Sequence, residues 1–156
     1  MDFDKVPEGL LHRCRLDLSR ETVHTERISA RTCEFAMVNP KRQGLSARFA
    51  WMAVAERETG NDPLQAIQKL DLTNGETHTW SAAPRGFVSE PLMVRRPGAD
   101  AEDDGWVLDL VWNGARAASD LVILNAGDLS EVAVLELPLA VPHGLHGSWA
   151  AGSVTA

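Results

Sequence analysis

The sequence predicts an all-β fold, a partial β-propeller of about three blades, and three observations predict it. Leu16-Asp17-Leu18-Ser19, Leu70-Asp71-Leu72-Thr73 and Leu124-Asn125-Ala126-Gly127 recur at a spacing of 54 residues, twice over. Each opens a unit that reads as an apolar strand, a polar turn and a second strand. The stretches between them are short, turn-bounded and rich in β-branched or aromatic residues. Several strands repeated at a fixed period of this length mark propeller blades. Three periods fill the 156 residues. Closed propellers have about 4–8 blades, so three make an arc with open edges.

Each element follows in chain order. The first hairpin turns at Asp17-Leu18-Ser19. Ser46 to Glu58 is ambiguous, because its alanines suit a helix and its Phe49/Trp51/Ala53 alternation suits a strand; the repeat around it favours strand. Leu70-Asp71-Leu72 and Glu76-Thr77-His78-Thr79-Trp80 flank Asn74-Gly75, one of the strongest short hairpin signals. Phe87 to Val94 is strand-like. Trp106 to Trp112 reads as a strand that places Trp106, Leu108, Leu110 and Trp112 on one face. Leu121 to Leu124 and Val132 to Leu137 complete the third unit. Residues 1–150 read as one set of blades, and 151–156 as a small, polar tail that frays.

Composition narrows the function. With 15 Lys and Arg against 22 Asp and Glu, the net charge is −7. The basic pairs Lys41-Arg42 and Arg95-Arg96 are isolated, so no phosphate-tracking surface forms and nucleic acid is excluded as a partner. The longest apolar run, Phe49 to Ala55, is far short of the roughly 20 residues that cross a bilayer. The acidic start Met1-Asp2-Phe3-Asp4 is unlike a secretory signal, which predicts a cytoplasmic protein. Cys14 and Cys33 fit no metal or redox spacing and are expected to be reduced thiols.

Three motifs could carry chemistry. Asp100 to Gly105 faintly resembles a calcium loop, yet Val111 stands where the twelfth position needs a bidentate glutamate. A solvated acidic loop is the expectation. His143-Gly144-Leu145-His146-Gly147 follows Pro142 and cannot be helical. Taken alone, His146 is either a metal ligand or a hydrogen-bonded turn histidine. Glu34 and Glu90 stand in strand-like surroundings, and a carboxylate there is either at a wet edge or inward-facing and paired. No nucleophile elbow, phosphate loop or dinucleotide fingerprint is present.

Five segments in order give a sharper reading. They are Cys33-Glu34-Phe35-Ala36-Met37-Val38-Asn39-Pro40, Arg48-Phe49-Ala50-Trp51, Lys69-Leu70-Asp71-Leu72, Ser89 to Gly98 with Ala101 to Gly105, and Leu137-Pro138 through Val141 to Trp149. Together they resemble the C-terminal part of the carotenoid cleavage oxygenases, over roughly residues 10–150. The resemblance implies a seven-bladed propeller whose axis holds one Fe2+ on four histidines, with outer glutamates orienting the imidazoles. It makes His146 the fourth iron ligand and Glu34 and Glu90 two of the supporting glutamates.

The activity implied is O2-dependent cleavage of an alkene in an apolar polyene (a carotenoid or apocarotenoid) or a stilbene, giving carbonyl products. Ala36, Ser89, Met93, Arg95, His143 and Leu145 depart from the family pattern around these residues. His12, His24 and His78 match no ligand motif, so the other three ligands have no counterpart here. The chain alone is therefore expected to be an incomplete enzyme. A separately encoded N-terminal part would complete it; a non-catalytic partial-propeller binding or assembly module is the alternative.

Overall fold

The computed structural model describes residues 5–144, 146–150 and 152 of the chain. Apart from Gly152, the tail expected to fray over 151–156 lies outside the described residues, as does Leu145 of the histidine motif. In chain order the strands are β1 (His12–Asp17), β2 (Thr22–Arg27), β3 (Cys33–Met37), β4 (Phe49–Ala55), β5 (Leu64–Asp71), β6 (Thr77–Ser81), β7 (Gly86–Phe87), β8 (Leu92–Arg95), β9 (Gly105–Asn113), β10 (Ala118–Asn125) and β11 (Glu131–Glu136). Every pairing is antiparallel. β1 and β2 form a hairpin, β3-β4-β5-β6 a four-stranded meander, and β9-β10-β11 a second meander. On the open side of β9, β7 pairs with one end and β8 with the other. The arc is thus two complete sheets and a two-stranded piece of a third.

The 54-residue repeat has a local chemical cause. β1, β5 and β10 end on Asp17, Asp71 and Asn125, and each side-chain oxygen accepts the N–H two residues on. The donors are Ser19 at 3.0 Å, Thr73 at 2.9 Å and Gly127 at 2.7 Å. Such turns replace a backbone partner with a side-chain one and reverse the chain at low cost. β1–β2 is by this measure the counterpart of β5–β6 and β10–β11. In the second turn Gly75 takes φ +79°, the left-handed conformation that glycine adopts without strain.

The run Phe49–Ala55 is continuous because β4 is buried on both faces. Trp51 and Ala53 join Ile67, Met93, Val107, Val122 and Leu124 in the core between the two sheets. Ala50, Met52 and Val54 join Cys33, Ala66 and Leu70 on the other side, under Leu11 and Ile28. A strand covered twice loses the alternation that marks a half-exposed one. Each large side chain so buried contributes roughly 1.5–3 kcal/mol. Polar ties cross the main core as well. Trp51 Nε1 donates to Ala126 O at 3.0 Å, and Trp80 Nε1 to Glu131 at 2.8 Å. Lys69, almost fully buried, donates to Asp103 and to Gly127 O at 2.6 Å, and lies 4.0 Å from the Phe49 ring centre.

One expectation needs correction. The acidic loop is only partly solvated: Asp100 is exposed, but Glu102 accepts from the Arg48 and Phe49 N–H groups at 2.8 and 2.9 Å, Asp103 pairs with Lys69, and Asp104 pairs with Arg96. Glu102 and Asp103 clasp one sheet to the other. In β9 the predicted grouping of faces holds, and the structure shows which face is the deeper. Val107, Asp109 and Val111 are buried, while Trp106, Leu108, Leu110 and Trp112 are half-buried. Narrow side chains fit between the closely packed sheets. The wide ones stand on the outer face, with Trp106 under the Arg96 guanidinium at 4.3 Å. Both cysteines are free thiols, as expected, Cys14 exposed and Cys33 buried.

Candidate functional site

Both glutamates singled out in the sequence stand where the first strand of a sheet is irregular. Between β7 and β8, residues 88–91 leave the ladder, and Glu90 is in that gap. β3 carries a bulge between Glu34 and Met37. There Phe35 takes φ +57°, which for a bulky residue is held only by its surroundings.

The gap between β7 and β8 organises the C-terminal segment. Glu90 Oε2 accepts from the Gly147 N–H at 2.6 Å, and Oε1 stands 3.3 Å from His146 Nδ1. Ser89 Oγ is 3.1 Å from His143 Nδ1. Phe35 meets the His146 ring edge-on, with centroids 6.2 Å apart. His146 is therefore held from two sides, although most of its side chain is exposed. A carboxylate that accepts from Nδ1–H fixes the neutral tautomer with its lone pair on Nε2, the form a metal takes up. Glu34 is exposed, its strand neighbour across the ladder being Ala53, and among the described residues it bonds to no histidine. Its carboxylate crowds Gly9, where a Cβ would lie 2.8 Å from Oε1. His146 and Glu90 are thus brought together, and Glu34 is not joined to them.

Beside the pair lies a cavity of about 360 Å³. Leu92, Leu108, Leu110 and Trp149 give it apolar walls, and Glu90, Asp109 and His146 its polar groups. Asp109 is buried. Its Oδ1 accepts from the Ser89 N–H at 3.1 Å, and among the described residues its Oδ2 has no partner. Burial pushes the carboxyl up to about 8, against the smaller opposing pull of the Ser89 and Leu110 N–H groups. Neither Asp109 nor Phe35 was found from the sequence. An aspartate amid an apolar strand was the available signal.

A pH dependence follows. Between pH about 4 and about 8 the folded chain keeps a proton on Asp109 that the unfolded chain has released, so stability falls as pH rises through this window. The loss is on the order of 3–5 kcal/mol, levelling above pH 8. Asp17, Asp71 and Asp128 act oppositely: turn hydrogen bonds, and for Asp71 chiefly the Arg48 guanidinium, hold them below the usual range. Their contribution is present above pH about 4 and lost in acid. Urea unfolding at pH 5.5 and 8.5 should show the wild type losing stability relative to Asp109→Asn; parallel changes would refute the assignment.

As to metals, no group of three or more His, Cys, Asp or Glu among the described residues is arranged to hold an ion. The chemistry of the donor set fits one corner of a metal site, a single oriented imidazole. No helix among the described residues is long and apolar enough to cross a membrane.

Comparison with known proteins agrees with this picture. Residues 2–151 match the family described as retinal pigment epithelial membrane protein. The apocarotenoid-15,15'-oxygenase of Synechocystis sp. is 44% identical over 151 residues, 96% of this chain and 31% of that protein. The lignostilbene-alpha,beta-dioxygenase isozyme III of Sphingomonas paucimobilis is 30% identical, over 97% of this chain and 34% of its own length. The crystal structure of cobalt-substituted Synechocystis ACO superposes with a TM-score of 0.93 at 43% identity, across 96% of this chain and 32% of that one. The chain spans about a third of the length of these relatives.

Proposed function

The chain belongs to the retinal pigment epithelial membrane protein family, and from that premise we propose that it is the C-terminal part of an iron(II) dioxygenase that cleaves an alkene of an apocarotenoid or related polyene. The observation that carries the reading is the Glu90–His146 pair, which leaves one imidazole nitrogen bare and oriented. His146 would hold the iron through Nε2. Glu90 would keep the ring turned and its other nitrogen protonated, and the Gly147 N–H would fix Glu90. Ferrous iron, when bound, supplies the one-electron chemistry that lets dioxygen react with a closed-shell olefin. The overall change balances: one C=C breaks, two C=O form, and both oxygen atoms of O2 enter the products.

Glu34 has the same part to play for a histidine outside this chain. It stands at the irregularity of its own sheet's first strand, as Glu90 does. In a propeller the blades surround a central channel, so two such irregularities in neighbouring sheets converge on one axis. The apocarotenoid is preferred to the stilbene because the relative named for it is the more similar of the two reported. One imidazole does not bind iron at useful affinity, since a site needs several converging ligands. The remaining blades, contiguous or separately encoded, would supply them.

The test is a graft. Residues 2–151 replace the matched third of the Synechocystis apocarotenoid oxygenase. The chimera is expected to bind about one iron and to convert an apocarotenoid to two carbonyl products, read as loss of polyene absorbance. A folded chimera that lacks iron would overturn the assignment of His146, and one that holds iron without cleaving would overturn the proposed activity. The 156-residue chain alone should bind iron far below stoichiometry.

A further inference from the structure

We propose that Asp109 is a positioning residue for the Glu90–His146 pair: from β9 its carboxyl holds the Ser89 N–H, and so sets where the carboxylate of the next residue stands. The meaning of the pair rests on the reading of His146 as an iron ligand; the placement of Asp109 does not.

Three observations carry it. Residues 88–91 have no place in the ladder on β9, because β7 ends at Phe87 opposite Trp112 and β8 begins at Leu92 opposite Leu108. Asp109 stands across from this gap and bonds to the backbone inside it at 3.1 Å. The second observation is cost. Asp109 is 2% exposed, between the buried Val107 and Val111, and among the described residues one of its oxygens has no partner. An unpaired buried polar atom costs stability. An apolar residue would serve the core better, so the carboxyl is retained for its bond. The third is tolerance. The His146–Glu90 contact is already 3.3 Å, and an outward shift of half an ångström at Glu90 would end it.

The protonation state is consistent with this role. A carboxyl that desolvation keeps neutral near pH 7 still accepts from Ser89 through its carbonyl oxygen. It adds no second negative charge to the cavity that Glu90 also lines. His146, the other titratable group of that cavity, then has one carboxylate to answer to.

Nitrogen-15 NMR of the histidine side chains in the metal-free, 156-residue chain tests the proposal, with His146→Gln to assign the signals. In the wild type and in Asp109→Asn, which keeps the acceptor, His146 should show the Nδ1–H tautomer as its main form at pH 7.5. In Asp109→Ala it should move to the tautomer mixture of a free imidazole, as in Glu90→Gln, while His12, His24 and His78 stay unchanged. Asp109→Ser keeps an oxygen but loses reach, and covers the case in which the alanine variant does not fold; it should behave as the alanine variant. A folded alanine or serine variant with the wild-type His146 spectrum overturns the proposal, as does an Asp109→Asn spectrum like that of Glu90→Gln. Because no iron or substrate is involved, failure here leaves the proposed activity standing, and failure of the graft with an intact tautomer leaves Asp109 standing.

Discussion

His146→Ala, made in the grafted oxygenase, should abolish stoichiometric iron and lower cleavage by at least about a hundredfold. The size of the effect follows from what the residue presents. Its Nδ1 faces Glu90 at 3.3 Å, so the free nitrogen is the only part of the ring left for a metal. Removing it deletes a ligand outright, whereas Glu90→Gln deletes only the group that orients it. An outer-shell change of that kind costs about 10–100-fold in metal affinity or activity. The order His146→Ala below Glu90→Gln below wild type is therefore expected in both iron content and rate. His143→Gln is the control. Its ring meets Ser89, not Glu90, and the variant should stay within about threefold of the parent. A His143 effect equal to that of His146 would sink the assignment.

Trp51→Ala should remove about 3–5 kcal/mol of folding stability, the upper range for truncating a buried aromatic. Trp51 is fully buried in the core between the two sheets, and its indole N–H reaches across to Ala126 O at 3.0 Å. Truncation opens a cavity on β4 and strands a carbonyl at the turn after β10. Since domains are stable by only about 5–15 kcal/mol, this single change takes a large share. Trp51→Phe keeps most of the volume and loses the bond, so about 1–2 kcal/mol is expected. Urea midpoints of the three proteins check this; equal midpoints for the alanine and phenylalanine variants would show that packing contributes nothing.

How much of this was legible in the sequence can be argued residue by residue. The hairpins were, because an Asx turn is written in three or four adjacent residues and recurs at Asp17, Asp71 and Asn125. The strand β4 was, but only with the repeat as context, since burial on both faces erases the period that identifies a strand. The two faces of β9 were legible but not which of them is the deeper, because two tightly stacked sheets select narrow residues over wide ones. Glu34 and Glu90 stood out as carboxylates in strand-like runs, but only the family resemblance gave them a role. The bulge and the gap that hold them are departures from periodicity, and a periodic reading passes over them. Asp109 escaped entirely, for its partner lies 20 residues away across a strand that is not regular there.

The break between β7 and β8 has one more effect, on how the molecule meets its own kind. An uninterrupted edge offers a row of free backbone groups to which another chain can add, the usual start of aggregation. Here the edge is cut into pieces of two and four residues, with Glu90 and Pro91 between them. The opposite edge, β11, is one strand from Glu131 to Glu136 with Val132, Val134 and Leu135 exposed, and a register shift near its start leaves Val132 out of the pairing. Misassembly of the partial ring should therefore start on the regular part of β11, residues 133–136, while the edge that carries Glu90 resists it.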